Sequence, residues 1–174
     1  NDNIEIQPSV INSYSDLNLL HVPAFPLSVT AGLNNSGFKA DGWQQYYGSV
    51  TAKNIAGIND IFNVYYSWNN LKNNQDNQDS WSTSYSIPLG YWSFDALYYK
   101  SSYDKTLAGN NASYASDGDS DRASLRVSRM LGRNATGKTS WWAKVERRNS
   151  NNSIENQRID VSSKTYTSIS SGAT

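Results

Sequence analysis

The feature that most restricts the fold of this chain is a two-residue hydrophobic period. Leu27, Val29, Ala31 and Leu33 alternate with Ser28, Thr30, Gly32 and Asn34. Tyr46, Gly48, Val50 and Ala52 alternate with Gln45, Tyr47, Ser49 and Thr51, and Phe62, Val64, Tyr66 and Trp68 with Asn63, Tyr65, Ser67 and Asn69. Trp81, Thr83, Tyr85, Ile87 and Leu89 oppose Ser82, Ser84 and Ser86; Trp92, Phe94, Ala96 and Tyr98 oppose Ser93, Asp95, Leu97 and Tyr99. Ala123, Leu125 and Val127 oppose Arg122, Ser124, Arg126 and Ser128; Trp141, Ala143 and Val145 oppose Ser140, Trp142, Lys144 and Glu146. A last run sets Ile159, Val161 and Ile169 against Asp160, Ser162, Lys164, Tyr166 and Ser168. Successive side chains of a strand point to opposite faces, so the pattern predicts about eight strands, each apolar on one face and polar on the other. The chain is only 37% apolar, yet it carries 12 Tyr and 6 Trp. Chains too polar to fold are poor in aromatics, so this composition belongs to ordered β structure.

An amphipathic strand suits a soluble sandwich or a membrane barrel, and three features favour the barrel. The runs are about ten residues long, the length a tilted strand needs to cross a bilayer and about twice that of an ordinary soluble strand. The connections alternate: short at Asn54–Asp60, Leu89–Tyr91 and Gly132–Lys138, long and polar at Asn35–Gly42, Asn70–Asp79, Ser101–Asp121 and Asn149–Gln157. Aromatics stand near the run ends (Tyr46, Phe62, Trp68, Trp81, Trp92, Tyr98, Trp141), where an interfacial girdle belongs. The polar face is too charged for a dry core, since each unpaired buried charge costs several kcal/mol; facing a wet lumen it costs little. Arg129 falls on the apolar parity, which calls for a bulge or a place at the short-turn rim.

Charge and motifs narrow the function classes. Fifteen basic and fifteen acidic side chains leave no field for nucleic acid. With no cysteine there is neither a disulfide framework nor thiol chemistry. Gly132-Arg133-Asn134-Ala135-Thr136-Gly137-Lys138-Thr139 matches the P-loop pattern, but a P-loop needs a helix after it, and the residues that follow alternate as a strand. It reads as a turn, with no nucleotide. Asp117, Asp119 and Asp121 start like a calcium loop, but the glycine and glutamate that complete one are replaced by Arg122 and Ser128, which leaves three weak metal candidates. Nothing in the spacing of Glu5, Glu146 and Glu155 selects a glycosidase pair, and the one histidine, His21, lies before the first run, next to Pro23 and Pro26, where it marks a hinge. No catalytic residue and no cofactor are assigned.

Several segments resemble two-partner secretion outer-membrane transporters, the TpsB or haemolysin/haemagglutinin secretion-activation family. Gly32-Leu33-Asn34-Asn35-Ser36-Gly37 resembles the tip of that family's first barrel strand, and Gly48 to Asp60 its second strand and turn. Ser84 to Trp92 is similar to its fourth strand and turn, Ala123 to Arg133 with Lys138 to Ser140 to its sixth and seventh, and Asp160 to Lys164 to its eighth. The resemblance implies that residues 26–174 form the N-terminal half of a sixteen-stranded transmembrane β-barrel. Residues 1–25 would then be the end of a periplasmic POTRA module and a hinge. The family's "VRGY" loop motif is absent, and half a sheet has unpaired edges that cannot stand in lipid, so the chain reads as part of a longer protein. The resemblance further implies a Gram-negative outer-membrane pore, its long loops facing the cell exterior, that secretes and activates a large exoprotein. Asp95, Tyr99, Arg122, Arg126, Lys144, Glu146 and Lys164 would line the lumen. Two other readings of the same pattern stay open at this point: a soluble aromatic-rich β domain that binds carbohydrate, and a complete eight-stranded outer-membrane barrel.

Overall fold

The computed structural model describes residues 2–8, 10, 15–21, 25–34, 44–70, 76–135 and 137–174. The expected long connection at Asn35–Gly42 lies outside these residues, as do part of Asn70–Asp79, the tip Asn35-Ser36-Gly37 and Thr136. Strands β1 (Asp2–Pro8) and β2 (Ser15–His21) pair antiparallel as a separate hairpin, in which His21 stands opposite Asp2.

The remaining strands form one antiparallel sheet. They are β3 (Leu27–Asn34), β4 (Gln44–Lys53), β5 (Ile61–Asn70), β6 (Asn77–Leu89), β7 (Trp92–Ala108), β8 (Ser113–Arg133), β9 (Lys138–Ile154), the short β10 (Gln157–Arg158) and β11 (Lys164–Ala173). β3 to β9 follow one another as a meander, β10 and β11 both pair with β9, and β3 pairs only with β4. Among the described residues the sheet is therefore open, and the closed eight-stranded reading, which needs β3 beside β11, is not what forms. Among the described residues no second layer covers either face. A carbohydrate-binding sandwich would bury its apolar face against another sheet; here Val29, Leu33, Leu125 and Ile169 are 68%, 68%, 61% and 83% exposed. Among the described residues the fully buried side chain is a charged one, that of Asp60.

Several connections differ from expectation. Ser101 to Asp121 is mostly strand: β7 and β8 run on as a hairpin to a tight turn closed by Gly109 N–H to the Ala112 carbonyl at 2.8 Å. β9 likewise continues to Ile154 and turns on Glu155 and Asn156. Both have positive φ, 50° and 62°, the pair of left-handed residues a type I′ hairpin needs. Asn tolerates this and Glu does so less readily; Glu155 is tied to Ala115 by both its backbone and its carboxylate. Alternation carried the strands through polar sequence that had been set apart as loop because of its composition. Conversely, Ile159 and Val161 are not strand residues. Ser162 and Ser163 N–H both bond the Ile159 carbonyl in a turn, and β11 begins only at Lys164.

At the opposite end the short turns are as expected. β6 and β7 join through Gly90 (φ 61°) and Tyr91. The turn from Asn54 to Asp60 has Asn54, Gly57 and Asn59 at positive φ and is pinned by Asp60, whose carboxylate accepts Ala56 N–H at 2.9 Å and the Tyr85 hydroxyl at 2.8 Å.

On the polar face, three glycines each lie beneath an aromatic ring of the neighbouring strand: Gly32 under Tyr47, Gly118 under Tyr103 and Gly172 under Trp142. A Cβ on Gly118 would stand 2.5 Å from Tyr103 and 2.7 Å from the Asn152 side chain, which accepts the Tyr103 hydroxyl at 2.8 Å. Gly118→Ala is therefore expected to destabilise by about 1–3 kcal/mol, the range for forced overpacking. The urea midpoint of refolding into lipid vesicles measures this, and an unchanged midpoint would show that the ring moves aside freely.

Candidate functional site

Strand pairing runs unbroken from β3 to β11, so the side chains of each face stand in cross-strand rows. One face carries Leu27, Ala52, Phe62, Tyr85, Ala96, Leu125, Val145 and Ile169 in one continuous cross-strand row. The band does not run straight along the rows. Leu33 of β3 leads across to Tyr46 and Trp68, but the same row then reaches Asp79, Ser102, Asp119 and Asn151. In β9 the apolar stretch is Trp141 to Val145, nearer the short turns. The band thus slides about four to six residues between β3 and β9, ~13–20 Å across ~29 Å of sheet. That is a slant of roughly 25–35°, approaching the strand tilt of outer-membrane barrels. Aromatics follow the slanting edge: Tyr46 stacks on Trp68 with centroids 5.2 Å apart, and Trp81 meets Tyr98 at 5.1 Å. Near the short turns Trp92 and Phe94 stack at 6.4 Å, and Arg129 lies over Trp92 at 5.1 Å. Arg129 is thus at the rim, one step before a register shift between Met130 and Gly132. Arg147 also falls on the apolar face, at the outer edge of the band in β9, opposite Ala123 and Thr167.

All the residues singled out as lumen candidates share the other face. Asp95, Arg126, Lys144 and Ser170 form one row, Leu97, Ser124, Glu146 and Ser168 the next, and Tyr99, Arg122, Arg148 and Tyr166 the one after. Lys164 lies opposite Ser150, one row further out. Trp142, which the alternation had already set on the polar face, and Arg148, which continuing the same parity beyond Glu146 would have found, share this face with the candidates.

The charges are held against the wall. Lys144 Nζ reaches Glu146 at 2.5 Å, and Asp95 accepts the Ser86 hydroxyl at 2.6 Å. Arg126 lies over the Trp142 ring at 4.8 Å and Arg122 over Tyr99 at 5.5 Å. A guanidinium on an aromatic face gains roughly 0.5–2 kcal/mol, enough to favour a flat side chain over one extended into water. Beyond the charges run small hydroxyls, with Ser67 and Ser80 bonded at 2.8 Å. The surface presents mixed charge and hydroxyls.

The motifs set aside in the sequence stay apart. Gly132 to Thr139 bridges two strands, and no helix follows it. Asp117, Asp119 and Asp121 lie in β8, not in a calcium loop; Asp121 accepts from Asn149 at 3.1 Å and Asp119 from Asn151 at 3.4 Å. Among the described residues no three acidic or histidine side chains gather as a metal site. Glu155 sits in its turn, bonded to Ala115, and Glu146 is paired with Lys144.

Comparison with known proteins agrees with this geometry. The family described as "Haemolysin secretion/activation protein ShlB/FhaC/HecB" matches residues 13–174. An outer membrane transporter CdiB from Dickeya dadantii is 31% identical over 97% of this chain and 30% of its own length. CdiB-2 from Burkholderia pseudomallei is 29% identical, over 97% of this chain and 29% of its own. The structure of CdiB from Escherichia coli superposes with a TM-score of 0.87 at 27% identity, over 99% of this chain and 32% of that one. CdiB from Acinetobacter baumannii, at 22% identity and a TM-score of 0.77, shares the fold. The chain thus spans about a third of the proteins it matches. A sheet with a slanted apolar band on one face and charges on the other, together with a family match over residues 13–174, shows that this chain belongs to the haemolysin secretion/activation (ShlB/FhaC/HecB, or TpsB) family.

Proposed function

We propose that this chain is the N-terminal half of the β-barrel of a bacterial outer-membrane pore that secretes and activates a large partner exoprotein by two-partner secretion. The observation that carries the reading is the division of the sheet. One face is an apolar band with aromatic edges, suited to lipid; the other is a wall of mixed charges and hydroxyls, suited to water. Residues 26–174 form the barrel half in this reading. The β1–β2 hairpin within residues 1–25 is the end of a periplasmic POTRA module. The long β7–β8 and β9–β10 hairpins rise on the cell exterior and the short turns face the periplasm. The second barrel half closes on the free edges of β3 and β11, since lipid offers unpaired strand edges no hydrogen bonds.

Asp95, Tyr99, Arg122, Arg126, Lys144, Glu146 and Lys164 line the channel, and Arg148 and Trp142 join them. An extended polypeptide in transit needs walls that hold water and grip no segment firmly. Mixed charges already paired or laid flat on rings meet that need. No group acts catalytically, and no cofactor or nucleotide is called for; the partners are the exoprotein and membrane lipid.

Reversing Arg122 and Arg126 together to Glu is expected to change single-channel conductance and ion preference in planar bilayers by about twofold or more, because fixed wall charges set local ion concentrations. Unchanged conductance, ion preference and secretion would remove both from the lumen. On a blot of outer membranes, a heat-modifiable band about three times this chain's mass is expected; a soluble antigen without a heat shift would overturn the pore.

A further inference from the structure

The polar face of β8 and β9 repeats one unfavourable pairing. Arg122 stands directly opposite Arg148, Arg126 opposite Lys144 and Arg133 opposite Lys138, three like-charged pairs in a single hairpin. Like charges facing each other across two strands destabilise a sheet. Beyond the Arg122–Arg148 pair, Lys164 of β11 lies on the same face, opposite Ser150. Carboxylates do not balance these cations. Glu146 stands between two of the pairs and binds Lys144. Asp95 faces Arg126 from β7 but accepts the Ser86 hydroxyl at 2.6 Å. Among the described residues, Arg122, Arg126, Arg133, Lys138, Arg148 and Lys164 make no ion pair. Arg122 is further short of an acceptor: its Nε is buried and has no hydrogen-bond partner among the described residues.

The cations occupy one side of the wall. Across β4 to β6 the same rows read Ser49, Tyr65 and Ser82, then Thr51, Asn63 and Ser84, without a charge. Lys138, Lys144 and Arg148 share one face of β9. At ~3.4 Å per residue the pairs therefore follow one another at about 20 Å and about 14 Å, a track of about 34 Å from the short turns outward. That exceeds the ~25 Å apolar band of a transmembrane barrel, so the track runs the depth of the membrane. Salt screens charge beyond roughly 8 Å, so each pair attracts a passing anion on its own. An anionic chain is held weakly at each step, and its contacts exchange rather than accumulate.

We propose that this ladder of cation pairs engages acidic stretches of the exoprotein, handing an extended segment rich in Asp and Glu from one pair to the next. This rests on the pore reading above. A guanidinium offers paired N–H donors that match the two oxygens of a carboxylate. A carboxylate seated between Arg122 and Arg148, or between Arg126 and Lys144, removes their mutual repulsion and offers Arg122 the acceptor it lacks. An acidic residue leaving one pair meets the next further out, so the wall favours acidic segments in passage and leaves neutral ones unheld. The two cations of the P-loop-like stretch, Arg133 and Lys138, are the first pair that a chain entering from the short-turn side meets; the register shift at Met130/Gly132 brings them level.

The test uses the full-length transporter carrying this segment, reconstituted in planar bilayers of phosphatidylcholine. The probe is a peptide of roughly ten residues alternating Glu and Ser, long enough to span the track when extended. Its block of the current is compared with that by the same peptide carrying Lys in place of Glu, each at the voltage polarity that draws it in. The acidic peptide is expected to reach half-block at about tenfold lower concentration. The Arg122→Gln, Arg126→Gln, Arg148→Gln variant is expected to lose this preference, with block scaled to its own open current, while keeping its heat-modifiable band. Should the triple variant fold poorly, Arg148→Gln alone is expected to lower the preference about threefold, and Arg148→Lys to keep most of it. Equal block by the two peptides in the wild type, or an undiminished preference in a folded variant, overturns the ladder. Selectivity for small anions without a preference for the acidic peptide overturns its assignment to polypeptide. Failure of the pore reading would show differently, as wild-type protein that opens no channels and does not shift on boiling.

Discussion

Ile169→Arg is expected to deplete the folded, membrane-inserted barrel, while Ser168→Arg, one residue away, leaves it intact. Both side chains are exposed on β11, and neither hydroxyl nor methyl groups there are needed for a bond, so the comparison isolates the face. Ile169 continues the row through Leu125 and Val145, inside the apolar band. An arginine there faces hydrocarbon and costs about 2–4 kcal/mol near the midplane of a transmembrane barrel. Ser168 continues the row of Ser124 and Glu146, where a further cation meets water and costs within about 0.5 kcal/mol. Refolding into vesicles at graded urea, followed by the heat-modifiable band, measures both. Equal tolerance of the two would mean that neither face touches lipid, and the membrane placement of this sheet would fall.

The second large effect is at Asp60. Its side chain is fully buried and closes the turn from Asn54, accepting from Ala56 and Tyr85. Burial alone pushes this carboxyl up, but the hydrogen bonds from the Tyr85 hydroxyl and the turn's backbone amides outweigh it and hold the group below its ordinary value of 3.8. A folded-state value below the unfolded one means that the stabilisation is complete above about pH 4 and is lost as pH falls through the folded value. Asp60→Ala leaves Ala56 N–H and the Tyr85 hydroxyl without their acceptor. Amide exchange in residues 54–60 is expected to quicken by about tenfold or more, because a buried polar group without a partner favours opening. Acidification of the wild type below pH 4 should have the same effect, and the variant should no longer respond to pH there. Tyr85→Phe removes one of the bonds, so its effect and that of Asp60→Ala should add to less than their sum. Exchange that is unaltered in the variant would show that the three residues of positive φ hold the turn by themselves.

How far these sites were legible differs from residue to residue. The alternation of Leu125, Val127, Arg126 and Arg122 names both faces of β8 without a structure, because side-chain direction in a strand is fixed by residue parity alone. Lys144, Glu146 and Asp95 came out together for the same reason. Asp60 was not legible: it ends a turn, where parity says nothing, and its partner Tyr85 lies on another hairpin. Arg148 was passed over only because the run was ended at Glu146. The outer halves of β7, β8 and β9 were taken for loops since Asn, Ser and Asp abound in turns; they are strands because each pairs with a long neighbour, and cross-strand hydrogen bonds override a weak intrinsic preference.

The sequence by itself thus determined strand character, the two faces, the short turns and the family resemblance, all of which depend on residues near one another along the chain. Only the tertiary structure decided that the described strands form one open layer, that its apolar band slants across the register, and which cations and rings meet. Those depend on stagger between strands, and stagger is set by turn geometry and by the one-residue shift at Met130/Gly132, which the alternation of any single strand does not encode.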